Sequence, residues 1–376
     1  MRLAPRLTLR KENATQRNAT GRSAGRYYNR LETIAISAPS ALQKAQQNMQ
    51  LPNALRNNAL PLAIVLSLAI LASQFSFRLR DLTWADAIAV QLRIWEGRIE
   101  IPEFQNRILA PALTVLALKI APAGFSERSL WHILRFVEAA AGFVTLYAAV
   151  SQTTGSRLRA LVSVGLVTFA YLWAPMTDSG ENPSDFFDIG FTALIVCLAL
   201  AEKPLALMLV VVLASMNRES AAFAGIVWIA VTYMRYGPGD LRKFLPALAY
   251  MAVSVAIVWG LRYGLAREFH PKQTLGAIES LNRWRAYFHP TGVTPMFAAT
   301  ALVFFAILRL MPRPWTADQK ATMGAAIVCA LITAVFGIWT ELRIWLPCWV
   351  MLSFTAVIGS NHRSNREWLG SLQPPK

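Results

Sequence analysis

The sequence has few charged residues for its length. Asp, Glu, Lys and Arg make up 15% of the 376 residues, against roughly 25% in soluble domains. Long stretches carry no charge at all, such as LPLAIVLSLAILASQFSF at 60–77. About 18–20 apolar residues in a helix can cross a bilayer core of about 30 Å. Several such stretches exclude an ordinary soluble domain, because a soluble core cannot bury so many helices that are apolar all round.

Cysteine is also scarce, and its placement excludes some kinds of site. Cys197, Cys329 and Cys348 are the three cysteines, and each lies inside an apolar stretch. Without a CxxC pair or a Cys/His cluster, no structural metal site is predicted. The three thiols are typical of buried packing residues. No apolar run starts before Leu60, so a cleavable signal peptide is not expected either.

Eleven apolar segments predict an all-α, polytopic transmembrane helical bundle of about ten or eleven segments. They are 60–77, 108–121, 131–150, 160–175, 186–201, 204–216, 221–234, 243–265, 296–311, 322–339 and 344–359. The chain is thus expected to have a basic disordered tail (1–59), a transmembrane domain (60–359) and a second tail (360–376). Two long loops, 78–107 and 266–295, interrupt the domain, and loops of that length usually have a function.

The basic residues indicate the orientation in the membrane. Residues 1–59 contain ten Lys or Arg and two acids, and so hold half of the net charge of +16. By the positive-inside rule, both tails should be cytoplasmic. Contact of the first tail with anionic lipid headgroups and a mitochondrial transit peptide are alternatives, and nucleic-acid binding is not expected.

Two cytoplasmic tails conflict with eleven crossings, which would place the termini on opposite sides. The first candidate for a segment that does not cross is 108–121, which is short and contains Pro111 and Lys119. The second solution is that 204–234 forms a single long helix, broken at Asn217–Glu219.

Ionisable residues at membrane depth cost about 2.5–3.5 kcal/mol each on insertion scales, and they usually face a cavity or a partner. The first such group, Asp81 and Asp86, lies in the loop after the first crossing. Residues 84–95 predict an amphipathic interfacial helix, with Trp84, Ile88, Leu92 and Trp95 on one face. Asp81 could simply cap this helix, and Asp86 could stabilise its first turn.

Three further groups share this pattern. They are Arg107 in FQNRILAP, Asp185 in NPSDFF, and Arg218 with Glu219 in SMNRESAAF. Glu341 and Arg343 in WTELRIWLP likewise lie between two apolar runs. Each also has a purely structural interpretation: a snorkelling arginine, a helix N-cap, a tight turn or a short outer loop. Since arginine binds phosphate bidentately and a desolvated carboxylate can act as a general base, these groups together predict a pocket for a lipid phosphate and a hydroxyl-bearing acceptor.

The order of these motifs resembles the GT-C superfamily of integral-membrane glycosyltransferases, which use polyprenyl-phosphate-linked sugars. PSDFFDIGFTALIVCLAL looks like the D-x-x-x-x-F-F helix start of the aminoarabinose and protein-mannosyl branches. The set FQNRILAP, PSDFF, NRES and ELRIWLP is similar to bacterial membrane proteins assigned to that superfamily without known substrates. The soluble C-terminal domain that many members have is not expected here, and the first loop has no D-x-D or E-x-D pair.

The resemblance implies an inverting sugar transfer at the outer face of the bacterial inner membrane. Asp86, or else Asp81, would deprotonate the acceptor. The remaining candidates would bind or orient the phosphate of the donor: Arg107, Asp185, Arg218, Glu219, Glu341 and Arg343. The expected partners are a polyprenyl-phosphate sugar and membrane lipids. No metal ligands are assigned, although the resemblance leaves room for a divalent cation.

Two other functions fit the same features. A secondary transporter would use the broken segment 204–234 as its substrate site, although transporters usually repeat such a helix in two halves and no repeat is found. A non-catalytic membrane scaffold would use the charges as structural pairs. Convergence of Asp86, Arg107, Asp185, Arg218 and Arg343 on one cavity would favour the enzyme.

Overall fold

The structure is a computed structural model that describes residues 59–75, 84–96, 108–122, 124–173, 184–269, 293–311, 313–336 and 345–358. All regular secondary structure in these ranges is helical. The α-helices are α1 (Ala59–Phe75), α2 (Trp84–Trp95), α3 (Leu109–Ile120), α4 (Glu127–Thr154), α5 (Arg157–Trp173), α6 (Ser184–Leu200), α7 (Pro204–Ser215), α8 (Phe223–Tyr236), α9 (Leu241–Phe269), α10 (Val293–Leu310), α11 (Ala317–Phe336) and α12 (Leu346–Val357). A 3-10 helix, Glu219–Ala222, lies between α7 and α8.

The all-α prediction is confirmed for the described residues. Each of the eleven apolar segments overlaps one of these helices, and α2 covers the predicted amphipathic stretch 84–95. The described residues from Pro61 onward belong to one compact unit, which contains the helical bundle. Within the described ranges, two helical stretches, Glu127–Thr154 and Leu241–Leu261, are both long and apolar enough to cross a membrane, and five shorter helices are also apolar.

Helices α4 and α6 approach each other closely because glycine lies at their contact. A Cβ on Gly142 of α4 would lie 2.2 Å from the carbonyl oxygen of Phe186 in α6. Further along both helices, the Cys197 thiol lies 3.8 Å from the Gln152 side-chain oxygen. The two helices therefore run in the same direction, and their starts lie at the same end of the bundle.

We expect Gly142→Ala to destabilise the protein by at least about 1–3 kcal/mol, the usual cost of overpacking. The added methyl group would meet backbone, which cannot rotate away. Gly165→Ala in α5 is the matched control, since a Cβ there meets no atom within 4 Å, and it should be neutral or stabilising. Thermal unfolding midpoints in detergent would compare the two variants. Equal midpoints would contradict the close α4–α6 contact.

Helices α7 and α8 are antiparallel, and the chain reverses between them. Arg235, near the end of α8, lies 2.7 Å from Glu202, two residues before α7 begins. At 1.5 Å per residue, a continuous helix over 204–234 would separate these ends by about 45 Å. The interpretation of 204–234 as a single long helix is therefore wrong, because the polar break at Asn217–Glu219 is a turn.

Helix α3 lies across one end of the bundle. The Leu109 amide at its start donates to the Met216 carbonyl, at 3.1 Å, in the turn between α7 and α8. Near its end, Leu118 packs on a small cluster around Ile88 of α2 and Trp131 of α4. The start of α4 and the α7–α8 turn lie at the same end, as the site contacts below show. Both termini of α3 therefore lie at that end of the bundle. This is the arrangement expected if segment 108–121 does not cross.

Candidate functional site

Three charged side chains meet where α6 begins and the chain turns from α7 to α8. Arg218 Nη2 donates to Asp185 Oδ1, and Arg218 Nη1 lies 3.6 Å from Asp188 Oδ2. All three are buried, and the Arg218 side chain is 4% exposed. Ser220 Oγ donates a hydrogen bond to the other oxygen of Asp188. Asp185, Asp188 and Arg218 are termed the ionic triad below.

Local structure explains how these residues come together. Asp185 and Asp188 are three residues apart in the first turns of α6, so they share one helix face. The positive end of the helix dipole favours acids there. Arg218 has an extended backbone, with φ −155° and ψ 156°, because α7 ends at Ser215. The Asn217 and Arg218 amides both donate to the Ala214 carbonyl, at 2.9 and 2.8 Å.

A second buried ion pair lies beside the triad on α4. Arg135 Nη1 lies 3.1 Å from Glu138 Oε2, and Arg135 Nη2 donates to the Tyr171 hydroxyl of α5 at 3.4 Å. The guanidinium also stacks over the Phe186 ring, 4.8 Å from its centroid, and the Tyr171 ring lies 4.5 Å from the same ring. Phe186 directly follows Asp185 in the chain, so this pair and the triad share the first turn of α6.

The structure brings together two of the predicted site residues. Asp185 and Arg218 form an ion pair, and Asp185 is the second residue of α6. Its interpretation as an N-cap that precedes the helix is therefore wrong. Glu219 begins the 3-10 helix and is exposed.

The other predicted site residues remain predictions. Asp86 belongs to α2, although the description does not extend to its side chain. Asp81, Arg107, Glu341 and Arg343 lie outside the described residues. Leu109, whose amide bonds the α7–α8 turn, is two residues after Arg107.

Sequence reasoning missed Asp188, Arg135 and Glu138. The signal for all three was available, since each is an ionisable residue inside a predicted apolar segment. Such residues usually face the interior of a bundle, and here they are 4%, 2% and 0% exposed, respectively. Each lies within a long apolar run, where the surrounding apolar residues outweigh one charge in the hydropathy pattern.

The opposite end of the bundle holds a third, more exposed charged cluster. Arg235 Nε donates to Asp318 of α11 at 2.6 Å, and Arg235 Nη1 donates to Glu202 at 2.7 Å. The Tyr236 hydroxyl also donates to Glu202. This cluster fixes the ends of α8 and α11 to the α6–α7 turn.

The triad and its neighbours can hold an anion or a proton, since they combine guanidinium groups with carboxylates away from water. Among the described residues, no three His, Cys, Asp or Glu side chains are grouped as metal ligands. No protein-family model, curated protein or solved structure matches this chain. Its function must therefore be inferred from these residues and their positions.

Proposed function

We propose that the chain crosses a membrane ten times, with both termini in the cytoplasm. Large apolar side chains point outward on many helices, among them Leu205 (84% exposed), Phe305 (66%) and Leu331 (62%). The charged triad, in contrast, is buried. Soluble proteins rarely have large exposed apolar surfaces and rarely bury charges fully, so this distribution favours a lipid environment.

The helix arrangement supports an even number of crossings. Of the twelve described α-helices, α2 is the amphipathic one and α3 lies across one end, which leaves ten to cross. The opposite end, near Arg235, is the more basic one and is assigned to the cytoplasm by the positive-inside rule. Its basic residues in the described ranges are Arg157, Arg159, Lys203, Arg235, Arg242, Lys243, Arg309, Arg313 and Lys320. The triad then lies towards the outer face.

We expect cysteines introduced at Thr20 and Gly370 to resist an impermeant thiol reagent in intact cells, because both tails are assigned to the cytoplasm. A cysteine at Ser179, in the acidic loop between α5 and α6, should be labelled. The native cysteines are buried and should give little background. Permeabilised cells provide the positive control for both tails. Labelling of either tail in intact cells would contradict the ten-crossing topology.

Within that membrane domain, we propose a glycosyltransferase that moves a sugar from a polyprenyl phosphate to an acceptor at the outer face of the bacterial inner membrane. The observation that carries this is the burial of Arg218 with two aspartates at a turn between short helices. Helices α7 and α8 have 12 and 14 residues, or about 18 and 21 Å, less than a bilayer core of about 30 Å. Because neither helix spans the full core, their turn lies below the outer headgroups and places a phosphate-binding side chain within the membrane, where a charge usually faces a cavity or a partner.

The hydrogen bond from Leu109 to Met216 adds a second support for this function. It attaches α3 to the same turn, and α3 in turn packs on α2, which contains Asp86. The elements that contain the expected base and the expected phosphate ligand thus both contact α3. In the proposed reaction, the acceptor oxygen attacks the anomeric carbon and the bond from that carbon to the phosphate oxygen breaks. Asp86 takes the acceptor proton, and Arg218 stabilises the charge on the leaving phosphate.

The test is the release of free polyprenyl phosphate, which is a product of the reaction whichever sugar is transferred. Purified full-length protein in liposomes would be given undecaprenyl phosphate carrying glucose, mannose or aminoarabinose, together with a membrane extract as the source of acceptor. Protein-dependent release with at least one donor supports the proposal. The proposal would be contradicted if no donor gave release from protein whose thermal unfolding transition shows that it is folded.

A secondary transporter is the second candidate, favoured by the ion clusters at both ends of the bundle. The triad links α6 to the α7–α8 turn at one end, and Arg235 links α8 to α11 at the other. Two such clusters could open alternately around a central site. Uptake or efflux by proteoliposomes, without consumption of any lipid donor, would favour this function.

A further inference from the structure

The ionic triad has more negative than positive charge, and this restricts how it can bind a phosphate. Arg218 is its single cation, while Asp185 and Asp188 are both carboxylic acids. A phosphate group that approached Arg218 with both carboxylates in place would meet two like charges in a region of low dielectric constant. Binding of an anion therefore requires that one carboxylate moves away from Arg218.

The two aspartates do not hold Arg218 equally. Asp185 accepts a direct hydrogen bond from Nη2. The contact from Nη1 to Asp188 is 3.6 Å, longer than the usual 2.7–3.2 Å of a hydrogen bond. Asp188 also has a separate partner in the Ser220 hydroxyl, which can keep it solvated after it leaves Arg218. Asp188 is consequently the carboxylate that is more easily displaced.

From these contacts we infer that Asp185 and Asp188 occupy guanidinium donors of Arg218 that would otherwise bind a phosphomonoester. The ligand then binds by displacing the Asp188 carboxylate. This inference rests on the proposed function and adds a regulatory step to the same site. Arg218 suits such an exchange, because it lies on extended backbone between two helices and its fork of donors matches phosphate as well as carboxylate. The aspartates would keep the guanidinium paired, and the site closed to other anions, until the lipid arrives.

Binding measurements on full-length protein in nanodiscs test the exchange. The probe is undecaprenyl phosphate, with undecaprenol and inorganic phosphate as separate arms to distinguish the lipid from the phosphate. We expect Asp188→Asn to bind undecaprenyl phosphate about tenfold more tightly than the wild type, since it loses one competing charged contact. Asp240→Asn removes the same charge in the α8–α9 turn at the other end of the bundle and should leave the affinity unchanged. Arg218→Gln should abolish binding.

Each outcome separates the exchange from the proposed function. If Asp188→Asn does not fold, Asp185→Asn tests the same competition and should also bind more tightly. Suppose that the wild type binds and needs Arg218, but the folded Asp→Asn variant binds equally or more weakly. That result overturns the exchange and leaves the proposed function unaffected. If the Asp→Asn variant binds inorganic phosphate more tightly than the wild type does, but not undecaprenyl phosphate, the exchange stands and a lipid ligand is contradicted. No binding of either phosphate to any variant overturns both.

Discussion

Asp86→Asn is expected to abolish sugar transfer while leaving stability nearly unchanged. Asp86 lies in α2, which packs at the edge of the bundle on a small cluster separate from the main core. Its loss should remove at most a first-turn dipole interaction of about 0.3–1 kcal/mol. Asparagine keeps the shape of the side chain but cannot accept a proton. Loss of a general base lowers a rate by about 10²–10⁴-fold, or about 3–5 kcal/mol of barrier.

Release of undecaprenyl phosphate and the thermal unfolding midpoint would be measured on the same preparation of Asp86→Asn. Asp81→Asn is the matched control, since it makes the same change five residues earlier in the same loop. A wild-type rate in Asp86→Asn with a loss in Asp81→Asn would move the base to Asp81. Wild-type rates in both variants would remove the first loop from the mechanism, and a helix-end role would explain Asp86.

The helices could be predicted from the sequence because each apolar run has a physical boundary. The amphipathic period of residues 84–95 predicted α2, and the polar break at Asn217–Glu219 separated the segments that form α7 and α8. The polar break at Asn217–Glu219 identified Arg218 as a residue that needs a partner at membrane depth. The structure provides that partner in Asp185.

Which helices and side chains contact each other across the bundle could not be predicted in the same way. Hydropathy does not say whether two short apolar runs continue or reverse, and the distance from Arg235 to Glu202 was needed to show the reversal. Likewise, the pairing of Arg135 with Tyr171 joins residues 36 positions apart. One sequence without its three-dimensional contacts could not assign Asp188 to Arg218, because no local pattern links them.

Arg218→Gln is expected to cause the largest loss of stability among single substitutions at the site. It would leave Asp185 and Asp188 close together, buried and without their shared cation. Removal of one partner from a buried ion pair costs about 3–5 kcal/mol, because the remaining charge is uncompensated. Arg235→Gln is the matched control at the other end of the bundle. There the two carboxylates that remain, Glu202 and Asp318, are 36% and 11% exposed, against 7% and 5% for Asp185 and Asp188. Water can therefore solvate them better, and the loss should be smaller.

A triple variant, Arg218→Gln with Asp185→Asn and Asp188→Asn, separates stability from function. It removes all three charges and keeps similar side-chain shapes, and neutral replacement of a whole buried ion group is often tolerated. The triple variant should therefore regain most of the unfolding midpoint that Arg218→Gln loses. It should not regain the release of undecaprenyl phosphate, because the phosphate has lost its guanidinium. Recovery of both would show that the triad only stabilises the fold, and a wild-type midpoint in Arg218→Gln would contradict the buried ion pair itself.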